Sequence, residues 1–200
     1  MARSRARRNL SRYSSKRLFV VSTEGYRTEP TYFDYFNHPD RKGDFTIRVL
    51  KHRTKTDPEE VLRRLIHFRR QKNPGRDTEY WMVLDKDNWT ENQLDSVCAK
   101  ANKEGVQVAL SNPCFEAWLY LHMAQARPFT DAQDCLSRLQ GQAASYEKSK
   151  YDVSQFTPGL ADAVSRAEQL DTNPNTSWPR EQGSHMYKLM NQLKKYGLDF

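Results

Sequence analysis

Four acidic side chains have the type and the placement to hold a divalent cation together. Glu24 follows the apolar run Arg17-Leu-Phe-Val-Val-Ser22, and Asp85 and Asp87 follow Glu79-Tyr-Trp-Met-Val-Leu84. Glu116 comes shortly after Val106-Gln-Val-Ala-Leu110, where the next helical pattern opens. Each run has the β-branched and aromatic content of a buried strand. In an open α/β sheet, ligands bind in the crevice outside the carboxyl ends of the strands. The spacing therefore predicts three acidic sites along one sheet edge. Residues two apart, as Asp85 and Asp87 are, can point the same way from an extended strand end. Such a pair suits Mg²⁺, which prefers oxygen ligands and keeps several waters. An ion between clustered carboxylates also relieves their mutual repulsion. Each acid alone has a structural reading as a helix cap or turn residue, and Asp87 before Asn88 has that form. The joint pattern points to chemistry.

The elements that would position these acids alternate. After the first strand, Thr31 to Asn37 reads as a helix with Pro30 in its first turn, and Phe45-Thr-Ile-Arg-Val-Leu50 alternates as a second strand. Asp57-Pro58-Glu59-Glu60 is a helix start, with a capping Asp, Pro at the first position and acids against the helix dipole. Val61, Leu62, Leu65, Ile66 and Phe68 continue it at helical spacing. The third strand precedes a helix over about Glu91 to Lys103, closed by Gly105. The fourth precedes a helix over Phe115 to Met123, with Phe115, Trp118, Leu119 and His122 on roughly one face. Strands alternating with helices call for a mostly parallel α/β sheet flanked by helices. Beyond that the pattern is helical, over about 130–139, 159–170 and 184–196. The expected division is an arm over 1–16, an α/β core over 17–125, and a helical part over 126–200 packed on the core.

The charge is unevenly spread. The 200 residues carry 32 Lys and Arg against 25 Asp and Glu, a net of +7. Arg3, Arg5, Arg7, Arg8, Arg12, Lys16 and Arg17 are seven basic groups with no acid among them, and the rest of the chain carries 25 of each sign. A basic arm of this kind reads as a phosphate-backbone contact or as a solvated tail. Lys86, between the two aspartates, is a further candidate for a phosphate contact. No apolar run approaches the roughly 18–20 residues of a membrane span, so no membrane partner is expected. Three scattered cysteines suggest neither a disulfide frame nor a zinc site, which fits the cytoplasm. The histidines lack metal-ligand spacing, and no Gly-rich phosphate loop occurs, so ATP hydrolysis by this chain alone is not expected. His122 reads as a packing histidine, and His185 as a residue that could reach a phosphate.

Phe19-Val-Val-Ser-Thr-Glu-Gly-Tyr-Arg-Thr-Glu-Pro-Thr-Tyr-Phe33 resembles the opening of the RloB-like proteins, a bacterial anti-phage family that includes a component of the AbiL abortive-infection system. Val83-Leu-Asp-Lys-Asp87 and Ser111-Asn-Pro-Cys-Phe-Glu-Ala-Trp-Leu119 match the same pattern, as does the stretch with Asn173-Pro174, Thr176, Met186 and Leu189. The resemblance covers about residues 15–195 and implies a Toprim-like fold, the module shared by topoisomerases, primases and overcoming-lysogenization-defect nucleases. It implies Glu24 as general acid/base, Asp85 and Asp87 as ligands of Mg²⁺ or Mn²⁺, and Glu116 as an additional acid near a second ion. Gly25-Tyr26 departs from the broader Toprim pattern, where smaller residues are frequent.

The function so implied is an Mg²⁺-dependent nuclease of an anti-phage system, acting on DNA or RNA and controlled by an ABC- or AAA-type ATPase encoded nearby. Two other readings stand beside it: a non-catalytic regulatory subunit that binds nucleic acid through its arm, and a toxin cleaving an RNA such as tRNA. A topoisomerase would need a DNA-gripping domain that 200 residues cannot house, so Tyr32, Tyr35 and Tyr120 read as core or groove residues. Tyr187 and Tyr196 look exposed, which marks residues 126–200 as the expected docking segment.

Overall fold

The computed structural model describes residues 16–37, 43–54, 56–87 and 89–200. Arg3, Arg5, Arg7, Arg8 and Arg12 of the arm lie outside the described residues; Lys16 is exposed where the first strand begins. Four strands, β1 (Arg17–Thr23), β2 (Phe45–Val49), β3 (Thr78–Asp85) and β4 (Gln107–Asn112), pair in parallel in the order β2-β1-β3-β4. The helices α1 (Thr28–Tyr35), α2 (Pro58–Lys72), α3 (Glu91–Lys103) and α4 (Phe115–Met123) follow them in alternation. α5 (Ala132–Gln142), α6 (Leu160–Leu170) and α7 (Met186–Lys195) complete the chain, with two short 3₁₀ turns, Val153–Gln155 and Thr157–Gly159, ahead of α6. This is the expected α/β class with a mostly parallel sheet flanked by helices, an arrangement consistent with a Toprim-like fold.

Strand alternation sorts the side chains into two layers. Val20, Met82, Leu84 and Leu110 pack with α2 and α3, while Phe19, Val21, Ile47, Val83 and Ala109 pack with α1, α4 and α7. Both faces of β1, β3 and β4 are covered, which is why they read as continuous apolar runs, whereas the edge strand β2 buries alternate residues only. The caps behave as their residue types require. Asp57 accepts a hydrogen bond from the Glu60 amide at 2.8 Å to start α2, and Gly105 adopts the left-handed φ of +66° just past α3.

Four details differ from the sequence expectations. α1 spans Thr28–Tyr35, starting three residues before the expected Thr31. Gly183 and Ser184 form a fifth strand, β5, antiparallel to β4, so the last helix begins only at Met186. α4 is buried on every side from Phe115 to His122, because α5 and α6 wrap the face turned away from the sheet. Tyr187 is buried and donates to Asp171 Oδ2 at 2.7 Å. Tyr196 is half-buried, its ring 5.8 Å from that of Phe19. Neither tyrosine is the exposed aromatic expected of a docking surface, since an amphipathic terminal helix turns its aromatics toward the sheet.

The segment between α6 and β5 crosses from one layer to the other. α6 and α7 belong to the layer of α1 and α4, yet Trp178 between them is fully buried in the layer of α3. Its indole donates to Asp95 Oδ1 at 2.8 Å, and Asn112 Nδ2 donates to the backbone carbonyls of Pro179, Arg180 and Glu181. Burial of a side chain this large is worth about 3 kcal/mol. His185, at the start of α7, is 1% exposed and lies 3.0 Å from Asp171 Oδ2. It therefore serves packing and is not presented to a phosphate.

Candidate active site

Strand order sets the place. The chain passes from β1 outward to β2 and then crosses back beyond β1 to β3, so the direction of winding reverses between β1 and β3. A crevice opens at the carboxyl ends of two strands that part in this way. Glu24 and Asp85 stand at those two ends. The Glu24 amide donates to the Val83 carbonyl at 3.0 Å, extending the β1–β3 pairing by one residue. The Glu24 carboxylate accepts from the Asp85 amide at 3.3 Å and from the Trp89 indole at 3.2 Å. Glu24 is fully buried.

The turn after Glu24 is held from several directions. Thr56 N donates to the Glu24 carbonyl at 3.3 Å, and the Gly25 carbonyl accepts from Thr23 Oγ1 at 2.6 Å and meets His52 Nε2 at 3.0 Å. The Gly25 amide donates to Glu29 Oε1 at 2.9 Å. A Cβ at residue 25 would stand 2.2 Å from Glu29 Oε2, so any larger residue there would displace that carboxylate.

Glu29, in the first turn of α1, is the site residue that sequence reading missed. It is 4% exposed and lines a cleft of about 240 Å³ with Gly25, Tyr26, Asp85, Glu116 and Lys148. Burial pushes its carboxyl up to about 7; bonds to the backbone amides of Glu29 and Gly25 oppose the rise, and the charges of Glu116 and Glu24 add to it. The signal was present in the sequence, since Glu29 stands five residues after Glu24, but the acid reads equally well as an ordinary first-turn helix residue.

Glu116 lies in the first turn of α4, its side chain 3% exposed. It accepts from Tyr146 Oη at 3.1 Å and pairs with Lys148 Nζ at 3.2 Å. Burial works against the charge on Lys148, but Glu116 outweighs it through its charge and its hydrogen bond, and the ammonium pKa is raised. The segment carrying Lys148 is tied to α1: Thr28 Oγ1 donates to the Lys148 carbonyl at 2.5 Å, and Tyr151 Oη donates to the Thr28 carbonyl at 2.8 Å.

The site thus gathers Asp85, Glu116 and Glu29 around one cleft, with Glu24 behind Asp85. Asp87 and Lys86 are not among its lining residues. β3 ends at Asp85, and Asp87 has a left-handed φ of +32° with its amide bonded to the Pro113 carbonyl at 2.8 Å. The strand-end alternation expected of Asp85 and Asp87 therefore stops at Asp85, because the chain turns to meet the loop after β4. Among the described residues, no three of His, Cys, Asp and Glu stand together as a ready-formed metal site. The donor chemistry nevertheless suits a hard divalent ion: Asp85, Glu29 and Glu116 are carboxylates lining one cleft, and the charges of Glu116 and Glu24 add to the rise that burial imposes on Glu29. His122 is a satisfied packing residue, with Nδ1 2.8 Å from the Phe156 carbonyl and Nε2 3.3 Å from Tyr32 Oη.

A family model described as RloB-like protein matches residues 19–193. No curated protein and no solved structure matches the chain. Among the described residues, no helix is long and apolar enough to cross a membrane.

Proposed function

Given that the chain belongs to the RloB-like protein family, we propose that it is a divalent-metal-dependent phosphodiesterase, a nuclease of a bacterial anti-phage system whose action is governed by a partner ATPase. The observation that carries this reading is the bond from the Asp85 amide to the buried Glu24 carboxylate at the reversal point of the sheet. It supports placing a proton-transferring acid beside a metal-binding one. Asp85 and Glu116 would hold Mg²⁺ or Mn²⁺, with Glu29 adjacent, and the bound ion would neutralise charge on the phosphate oxygens.

The chain's own groups divide the remaining tasks. Glu24, held by the Asp85 amide and the Trp89 indole, would take or give a proton at the nucleophile or leaving group. Lys148, at the mouth of the cleft, offers its ammonium to a phosphate when it releases Glu116. The basic arm with Arg3, Arg5, Arg7, Arg8, Arg12 and Lys16 would hold the polyanion by charge without reading its sequence.

The test is cleavage of plasmid, linear DNA and total tRNA with Mg²⁺ or Mn²⁺ and with EDTA, by the protein alone and with the product of a neighbouring ATPase gene. Metal-dependent cleavage is expected. Glu24→Gln should retain metal binding by calorimetry and lose turnover, whereas Asp85→Asn should weaken metal binding itself. If both variants protect cells against phage as well as the parent does, the proposal fails.

A further inference from the structure

The turn that carries Glu24 and Gly25 also presents Tyr26, which no step above uses. Tyr26 is 43% exposed, and among the described residues it is the large hydrophobic side chain left open to solvent. It lines the same cleft as Asp85, Glu29, Glu116 and Lys148. The Arg27 guanidinium lies over its ring, 5.3 Å from the centroid. The ring's backbone is not free to drift, because the preceding residues are bonded to β3, Thr56 and His52.

We propose that Tyr26 is a stacking platform for a base next to the phosphate bound in the cleft, so that the site takes an unpaired strand rather than a duplex. This rests on the phosphodiesterase reading of the cleft. Two physical arguments favour it. A paired base has both faces covered by its neighbours in the stack, so only an unpaired or splayed base can lie on an aromatic ring. The carboxylates also sit at the bottom of the cleft, with Glu116 2% and Glu29 4% exposed. A single strand can lower one phosphate into such a recess, whereas a duplex holds its phosphates on the outside of a wide rod. An aromatic face beside cations is how proteins grip single strands without reading their sequence, and Arg27 and Lys148 supply the cations here.

The experiment measures binding by anisotropy, using the full-length chain carrying Glu24→Gln, with Ca²⁺ present and cleavage monitored. The probes are a labelled 12-nucleotide single strand, the same strand with one abasic site moved along it, and the matching duplex. The single strand should bind at least about tenfold more tightly than the duplex. Tyr26→Ala should weaken single-strand binding about tenfold, in line with the loss of one stacked base. Tyr26→Phe should bind as the parent does, and an abasic site at one position should erase the difference between Tyr26 and Ala. Unchanged single-strand affinity in Tyr26→Ala, or a Phe variant as weak as Ala, overturns the inference and leaves the phosphodiesterase reading standing. Failure of the parent to bind any of the probes overturns both. Melting curves of the Tyr26 variants control for folding, which an exposed side chain should not disturb.

Discussion

Gly25→Ala is a sharp perturbation of the candidate site, because the atoms nearest the added methyl all belong to one carboxylate, that of Glu29. The new Cβ would lie 2.2 Å from Glu29 Oε2 and 2.6 Å from Oε1, so the carboxylate must leave its place. Positive φ values among the described glycines occur at Gly105 and Gly197, so alanine meets no left-handed backbone at residue 25. The displaced Glu29 forfeits its 2.9 Å bond from the Gly25 amide. A hydrogen bond to a charged group is worth about 1.5–3 kcal/mol. The lost freedom of the unfolded chain returns about 0.4–1 kcal/mol. The net expectation is a destabilisation of about 1–2 kcal/mol by urea unfolding, together with loss of metal-dependent cleavage. In a Glu29→Ala background the obstacle is gone, and Gly25→Ala should be neutral or slightly stabilising. The two changes should therefore show a coupling of about 2 kcal/mol, well above the roughly 0.3–0.5 kcal/mol scatter of independent sites. Glu29→Gln, which keeps the bulk, should leave the penalty of Gly25→Ala in place. Additive costs for Gly25→Ala and Glu29→Ala would refute the argument that the carboxylate dictates the glycine.

His122 gives a pH dependence with a defined sign. Burial depresses it to about 4 from an unfolded value near 6.5, so only the unfolded chain takes up the proton between those values. The stability it contributes is complete above pH 6.5 and is lost as pH falls toward 4, by about 3 kcal/mol; His122→Gln should flatten the profile of unfolding free energy relative to the parent, and identical slopes would refute this. Gly159→Ala would place a methyl 2.0 Å from the His122 backbone carbonyl, which cannot rotate aside. It should cost about 2–3 kcal/mol, read as a lowered midpoint in thermal or urea unfolding. Deleting residues 1–16 should leave the melting temperature unchanged and make the slope of log affinity for nucleic acid against log salt shallower. An equal slope would make the arm a passive tail.

Much of this architecture is legible in the chain because parallel strands buried on both faces are long apolar runs, and those runs end abruptly at Glu24, Asp85 and Ser111. The capping chemistry at Asp57 and Gly105 is local, so residue type alone places it. What could not be read depends on contacts between distant segments. Glu29 becomes a cleft residue only because Gly25 lets the turn close on it. Asp87 leaves the line of β3 because its amide is taken by Pro113, 26 positions away in the chain. A two-residue strand such as β5 has no periodicity to detect. Tyr187 carries the polar tip of an exposed aromatic, and its burial follows from a partner, Asp171, that sequence spacing does not announce.

The crossing of Trp178 from one layer into the other ties the order of assembly to the order of synthesis. Asp95 leaves the ribosome 83 residues ahead of the indole that it binds. Until residue 178 emerges, the α3 layer lacks the side chain that fills it, although every parallel strand has long since been made. Tyr146 and Lys148, the groups that hold Glu116, also arrive after the whole parallel sheet. A nascent chain that stops at α4 therefore has Glu116 without the lysine that pairs with it and a layer with a gap. The protein closes its second layer and completes the partners of its cleft late, both through segments that follow α4.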